Sequence, residues 1–169
     1  RFACWKWTDD NGQMRVVSYD PSYTVYSSKD VNLTACYTVE EIEPEAVINV
    51  VDVAAINNNG KNALKYTEYF HIPEGELVNV GFIYTTNGDK ADFDLMTLAG
   101  ADDNADIRMN MFADLSGKSA GKFYVLNVND KTSMDVYVRA YMTYRDADDE
   151  QHTVYSDNII ITSFDQLHN

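Results

Sequence analysis

Basic groups are few in this chain. Lys and Arg number 13 against 27 Asp and Glu, a formal net charge of −14 with a pI near 4.3. So acidic a surface repels phosphate backbones and anionic lipid, which argues against nucleic-acid and membrane-surface binding. Long apolar runs are missing too: none reaches the roughly 18 residues of a transmembrane helix, so no membrane insertion is expected. The chain opens directly on structured-looking sequence, Arg1-Phe2-Ala3-Cys4-Trp5, and no signal peptide is read there. No stretch keeps helical periodicity over three turns. There is no Gly-x-Ser-x-Gly nucleophile elbow and no Walker loop. His71, His152 and His168 share neither i, i+4 spacing nor a motif, and read as isolated surface or edge histidines. The two cysteines, Cys4 and Cys36, lie far apart with no nearby histidine, so no zinc pattern exists.

What is present points to β structure. Apolar residues make up 45% of 169, enough for a real core in one mid-sized domain, or one domain of about 120 residues plus an appendage. Tyrosine is abundant at 12, proline scarce at 3, and β-branched residues recur in short runs. Turn clusters punctuate the chain: Asp9-Asp10-Asn11-Gly12, Asn57-Asn58-Asn59-Gly60, Asn87-Gly88-Asp89, Ala101-Asp102-Asp103-Asn104 and Asp146-Ala147-Asp148-Asp149. Between them lie alternating strands. Leu64, Tyr66, Phe70 and Ile72 share a face that Glu68 interrupts; Val78, Val80, Phe82 and Tyr84 alternate strictly; Ile107, Met109 and Met111 follow suit. The cleanest period of two runs through Met134, Val136, Val138, Ala140 and Met142, with Val154–Thr162 as its hairpin partner. Short strands with frequent turns imply a sandwich or barrel.

A domain boundary falls at Glu40-Glu41-Ile42-Glu43-Pro44-Glu45, where four glutamates surround one proline. Charge divides there as well: residues 1–41 carry 4 basic and 6 acidic groups, residues 42–169 carry 9 and 21. The expected organisation is a small β module over 1–41, a linker over 42–46, a sandwich over 47–165 and a tail over 166–169.

The N-terminal piece resembles the second half of an internalin-type B repeat, a β module of bacterial surface proteins. Four elements carry the likeness: Phe2-Ala3-Cys4-Trp5, Val17-Ser18-Tyr19-Asp20, Tyr23-Thr24-Val25 and Leu33-Thr34-Ala35-Cys36-Tyr37. The larger part is similar to bacterial immunoglobulin-like or fibronectin type III-like domains, through Val80-Gly81-Phe82-Ile83-Tyr84-Thr85, Tyr137-Val138-Arg139-Ala140-Tyr141 and Val154-Tyr155-Ser156-Asp157. Where fibronectin type III domains carry a corner tyrosine, this chain has Val136. The resemblances imply an all-β protein, an immunoglobulin-like antiparallel sandwich preceded by the small module, in a secreted, wall- or surface-associated setting.

Cys4 and Cys36 replace a glycine and an aliphatic residue of the B-repeat pattern, on two strands that family pairs. A disulfide between them is the expectation. It closes a loop of about 33 residues, worth on the order of 3–4 kcal/mol, and fits an extracellular location. The alternative is two unrelated buried thiols. No cofactor is expected unless it is calcium. Hard oxygen ligands are dense between Asp89 and Asp106, with Asp102, Asp103 and Asp106 the candidates, against a simple solvated acidic face. For glycan binding the candidate platforms are Trp7 and the Tyr137–Arg139–Tyr141 stripe, which read equally as packing. Nothing marks a catalytic carboxylate pair, and no enzyme activity is expected. The functional expectation is a structural or adhesive module that spaces neighbouring modules and touches a glycan or host protein. The alternative is a carbohydrate-binding module.

Overall fold

A computed structural model describes residues 1–9, 12–25, 30–41, 43–111 and 119–168, and the side chains of all of these except 119–123. Alternating sequences become strands as expected, in three antiparallel sheets. The first, in the order β2-β1-β3, contains β1 (Phe2–Thr8), β2 (Met14–Ser18) and β3 (Asn32–Tyr37). The second, β4-β5-β8, contains β4 (Val47–Asn58), β5 (Lys61–His71) and β8 (Ser119–Asn127). The third runs β10-β9-β6-β7, from β6 (Glu76–Thr85), β7 (Ile107–Met111), β9 (Val136–Arg145) and β10 (Gln151–Tyr155), with β11 (Ile160–Thr162) also on β9. Among the described residues lie two short α-helices, α1 (Leu98–Asp103) and α2 (Phe164–His168), and a 3-10 turn over Gly88–Lys90.

The second and third sheets face each other as a sandwich. Ile48, Val50, Leu64, Tyr66 and Phe70 from one meet Val80, Phe82, Val136, Val138, Ala140 and Met142 from the other, all buried. The Tyr66 and Phe82 rings lie 5.9 Å apart and tilted by 49°. Burying one such aromatic side chain is worth about 1.5–3 kcal/mol. Glu68 sits fully buried in β5, and the β5–β8 register sets it opposite Lys122.

Strand ends follow turn chemistry. The β4–β5 hairpin turns on Asn59 and Gly60, both at positive φ (53° and 83°), and the Asn57 side chain accepts a 2.8 Å bond from the Gly60 amide. The strict alternation expected at Val78 fails. A bulge between Leu77 and Asn79 turns Leu77 inward and leaves Val78 exposed, while Val80 and Phe82 keep the core face. The expected hairpin partner over Val154–Thr162 is two strands, because the chain breaks at residues 156–159, where Ser156 Oγ accepts from the Ala140 amide. The expected tail is a helical turn whose Phe164 and Leu167 pack on the core.

The first sheet packs on the outer face of the second. β4 is therefore buried on both sides: Ile48 and Val50 enter the sandwich, while Val51 joins Tyr69, Val17, Trp5, Trp7, Tyr23 and Leu33 in a separate cluster. Polar contacts fix the same junction. Asn49 Nδ2 donates to the Val16 carbonyl at 2.6 Å, and Tyr69 Oη donates to Ser18 Oγ at 3.2 Å. Arg15 pairs with buried Asp9 at 2.9 Å and reaches Asp157 beyond β10 at 3.3 Å.

Candidate functional site

The Tyr137–Arg139–Tyr141 stripe lies on the outer face of β9, under the long connection between β6 and β7. Tyr141 is fully buried in a cluster with Ile83, Met96 and Ile107, so it is no open platform for a sugar ring. Burial pushes its phenol up to about 12, and its hydroxyl donates to Asn79 Oδ1 at 3.3 Å. Tyr137 is half-buried, its hydroxyl against Gly88. Arg139 lies between the Phe93 and Tyr155 rings, 4.6 and 4.7 Å from their centroids. Its Nε donates to the Ser156 carbonyl at 3.0 Å, and one terminal nitrogen donates to the carbonyls of Phe93 (3.0 Å) and Met96 (3.4 Å). Burial lowers the guanidinium's pKa, and the nearby Tyr155 and Asp157 oppose that. The stripe is thus a clamp. It holds the connection on the sheet rather than offering a face to a ligand.

Trp7 is half-buried at the junction of the first sheet and the sandwich. It lines a cleft of about 110 Å³ together with Val51, Val53, Ile160, Ile161 and Leu167. Packing, not an open platform, sets its position.

The aspartates proposed for calcium do not converge. Asp102 and Asp103 project from α1 and are exposed. Asp106 is engaged with β6: its Oδ2 accepts from Asn87 Nδ2 at 3.3 Å and its carbonyl accepts from Thr85 Oγ1 at 2.9 Å. The capping bonds of this segment explain why the carboxylates spread. Thr97 Oγ1 caps α1 by accepting from the Gly100 amide, and Asp92 Oδ1 accepts from the Leu95 amide.

The expected disulfide is not formed: Cys4 and Cys36 are both free thiols. The register nevertheless makes them direct partners across β1 and β3. Burial, reinforced by the neighbouring Cys36 sulfur, raises the Cys4 thiol above its ordinary pKa. Closing the pair needs an oxidant.

One feature was not legible in the sequence, and a second was legible only as an acidic cluster, Asp146, Asp148, Asp149 and Glu150, read as a solvated hairpin turn without its histidine. The first is a polar groove of about 400 Å³ at the end of the sandwich, bordered by Tyr84, Thr85, Thr86, Asp106, Arg108, Asn127, Asn129, Asp130 and Lys131. The named residues come from three separate stretches, so no local motif announces it. The second lies at the β9–β10 turn. Asp146, Glu150 and His152 bring ligand atoms within 4.8 Å of one another, the one such convergence among the described residues. The spacing Asp146…Glu150-x-His152 across an anticipated hairpin turn was a usable signal.

No family model matches the chain, and no curated protein or solved structure does either.

Proposed function

We propose that the chain is a non-catalytic structural or adhesive unit of a secreted bacterial surface protein, with an immunoglobulin-like sandwich and a B-repeat-like module fastened to it. The observation that carries this reading is the junction. Val17, Trp7, Tyr23 and Leu33 seat on Val51 and Tyr69, and the buried Arg15–Asp9 pair ties in Asp157. A spacer needs such a stiff joint between consecutive modules; a free linker would let them swing.

Other features support the parts. The strand order β4-β5-β8 against β10-β9-β6-β7 is the two-sheet arrangement expected of fibronectin type III-like sandwiches. The B-repeat-like elements fall on β1, on the end of β2 and the stretch after it, and on β3. Facing cysteines suit an oxidising, extracellular setting. There they exchange with a donor disulfide: the two thiols give up two electrons and two protons, the donor becomes a dithiol, and the Cys4–Cys36 bond forms.

Calorimetry of the whole chain tests the reading. One cooperative transition for both parts is expected. Two separable transitions, the first belonging to residues 1–41, would remove the stiff joint and with it the argument.

A second reading, carbohydrate binding, is favoured by the polar groove, where one aromatic ring, Tyr84, lies beside Arg108, Asn127 and Asp130. Affinity electrophoresis against plant, mucin and microbial polysaccharides decides between the two. Retardation lost in Arg108→Ala supports a glycan site in the groove, and no retardation on any polysaccharide leaves the spacer.

A further inference from the structure

We infer that the β9–β10 turn is a binding site for a first-row divalent ion of the zinc type, held by Asp146, Glu150 and His152. The residues are positioned for it. Tyr144 and His152 face each other across the hairpin register, and their rings stack 5.2 Å apart at 30°. This stacking aims the imidazole along the turn, with Nε2 2.6 Å from Asp146 Oδ2. The other oxygen, Asp146 Oδ1, is already committed: it accepts the amides of Asp148 (3.0 Å) and Glu150 (2.9 Å). Those two bonds fix the carboxylate plane and leave Oδ2 as its ligand atom, the outer-shell support that metal carboxylates need. The turn itself is held by the Asp146 amide on the Glu150 carbonyl at 3.0 Å, with Asp149 at positive φ (64°). Arg145, the cation of the turn, is drawn off to Asp149 at 3.5 Å and does not neutralise the three ligands.

The donor set decides the class of ion. Calcium and magnesium take oxygen ligands, whereas an imidazole nitrogen beside carboxylates suits zinc and its neighbours. This separates the turn from the other acidic turns of the chain, none of which contributes a histidine to such a group among the described residues. Binding requires the imidazole to carry its proton on Nδ1, so that the Nε2 lone pair meets the ion. The ion then takes the place of the hydrogen now shared by His152 and Asp146. Three protein ligands leave at least one position for water or for a donor from another molecule.

The test is calorimetric titration of the full chain with zinc chloride, with Cys4 and Cys36 replaced by serine so that the thiols cannot compete. One zinc per chain is expected, with no comparable heat from calcium or magnesium. His152→Gln weakens zinc binding by about tenfold or more, and Asp146→Asn does likewise. Zinc binding unchanged in His152→Gln, calcium binding of equal strength, or no zinc binding at all would each overturn the inference. Cobalt substitution supplies a second readout: tetrahedral visible absorption in the parent chain and its loss in His152→Gln, with circular dichroism confirming that the variant is folded.

Discussion

The sandwich has two outer faces, and the chain covers each by a different device. The face of β4 and β5 is covered by a separate sheet, through aliphatic and aromatic side chains that cluster at Val17, Val51 and Tyr69. The face of β6 and β9 is covered by the connection that carries α1, through Met96, Leu95 and Leu98 over Ile83 and Tyr141. At the margin of the first cover Arg15, paired with Asp9 of the same sheet, reaches the exposed Asp157 of the sandwich, whereas the second cover is tied by one guanidinium in the middle of the contact. The difference reflects the backbone. A sheet satisfies its own amides and carbonyls, so side chains alone can attach it. An irregular connection leaves carbonyls such as those of Phe93 and Met96 without ladder partners, and Arg139 supplies the donors.

Three measurements put this contrast to the test. The largest effect is expected at the first cover. Arg15→Ala removes the 2.9 Å partner of Asp9, whose Oδ1 keeps the Gln13 amide, and the link to Asp157, at about 3 kcal/mol. Denaturant unfolding should show that loss, and a change below about 1 kcal/mol would mean that apolar packing alone holds the sheet. At the second cover, Arg139→Ala removes two ring contacts and several carbonyl bonds, at about 2 kcal/mol. Arg139→Lys should recover little, because an ammonium cannot span three carbonyls between two rings. Full recovery by lysine would mean that charge, not the planar fork, makes the clamp. Hydrogen exchange should localise the Arg139→Ala damage to residues 92–103.

The smallest effect is confined to alkali. Tyr141 has its phenol raised from 10.0 to about 12 by burial, so the folded state holds that proton more tightly than the unfolded chain. The associated stability is complete below the unfolded value near 10 and is lost as pH rises through about 12. Phenolate absorbance should show late-titrating tyrosines, with Tyr66 of the core among them, and Tyr141→Phe should remove one and leave Tyr66. If Tyr141→Phe leaves the number of late-titrating tyrosines unchanged, the second cover is open in solution.

Much of this architecture was legible in the alternation of residues. Val136, Val138, Ala140 and Met142 face the core as their period of two requires. The bulge at Val78 was not legible, since an extra residue in a ladder is a backbone event with no fixed side-chain signature. The pattern also placed Tyr137, Arg139 and Tyr141 on the outer face without saying that α1 and its flanks lie over that face. Burial by a distant segment is a tertiary fact. The same segment drew attention for its aspartates, although its fold spreads them apart. Asp146 and His152 were read as separate features, because spacing gives neighbours only once the turn geometry is known.

The geometry of the first sheet has a mechanical consequence. Arg1 and Thr38 exchange both backbone bonds, at 2.7 and 3.0 Å, so the chain enters and leaves that sheet at one end. Tension applied between residue 1 and the sandwich would therefore peel β3 from β1 like a zipper, loading one rung at a time instead of shearing all rungs together. Behind the Phe2–Tyr37 rung comes the Cys4–Cys36 rung. A covalent bond there stops the zipper almost where it starts and keeps the roughly 31 residues between the sulfurs from paying out about 100 Å of slack. The oxidation state of two thiols would then set how far the pulled chain can lengthen.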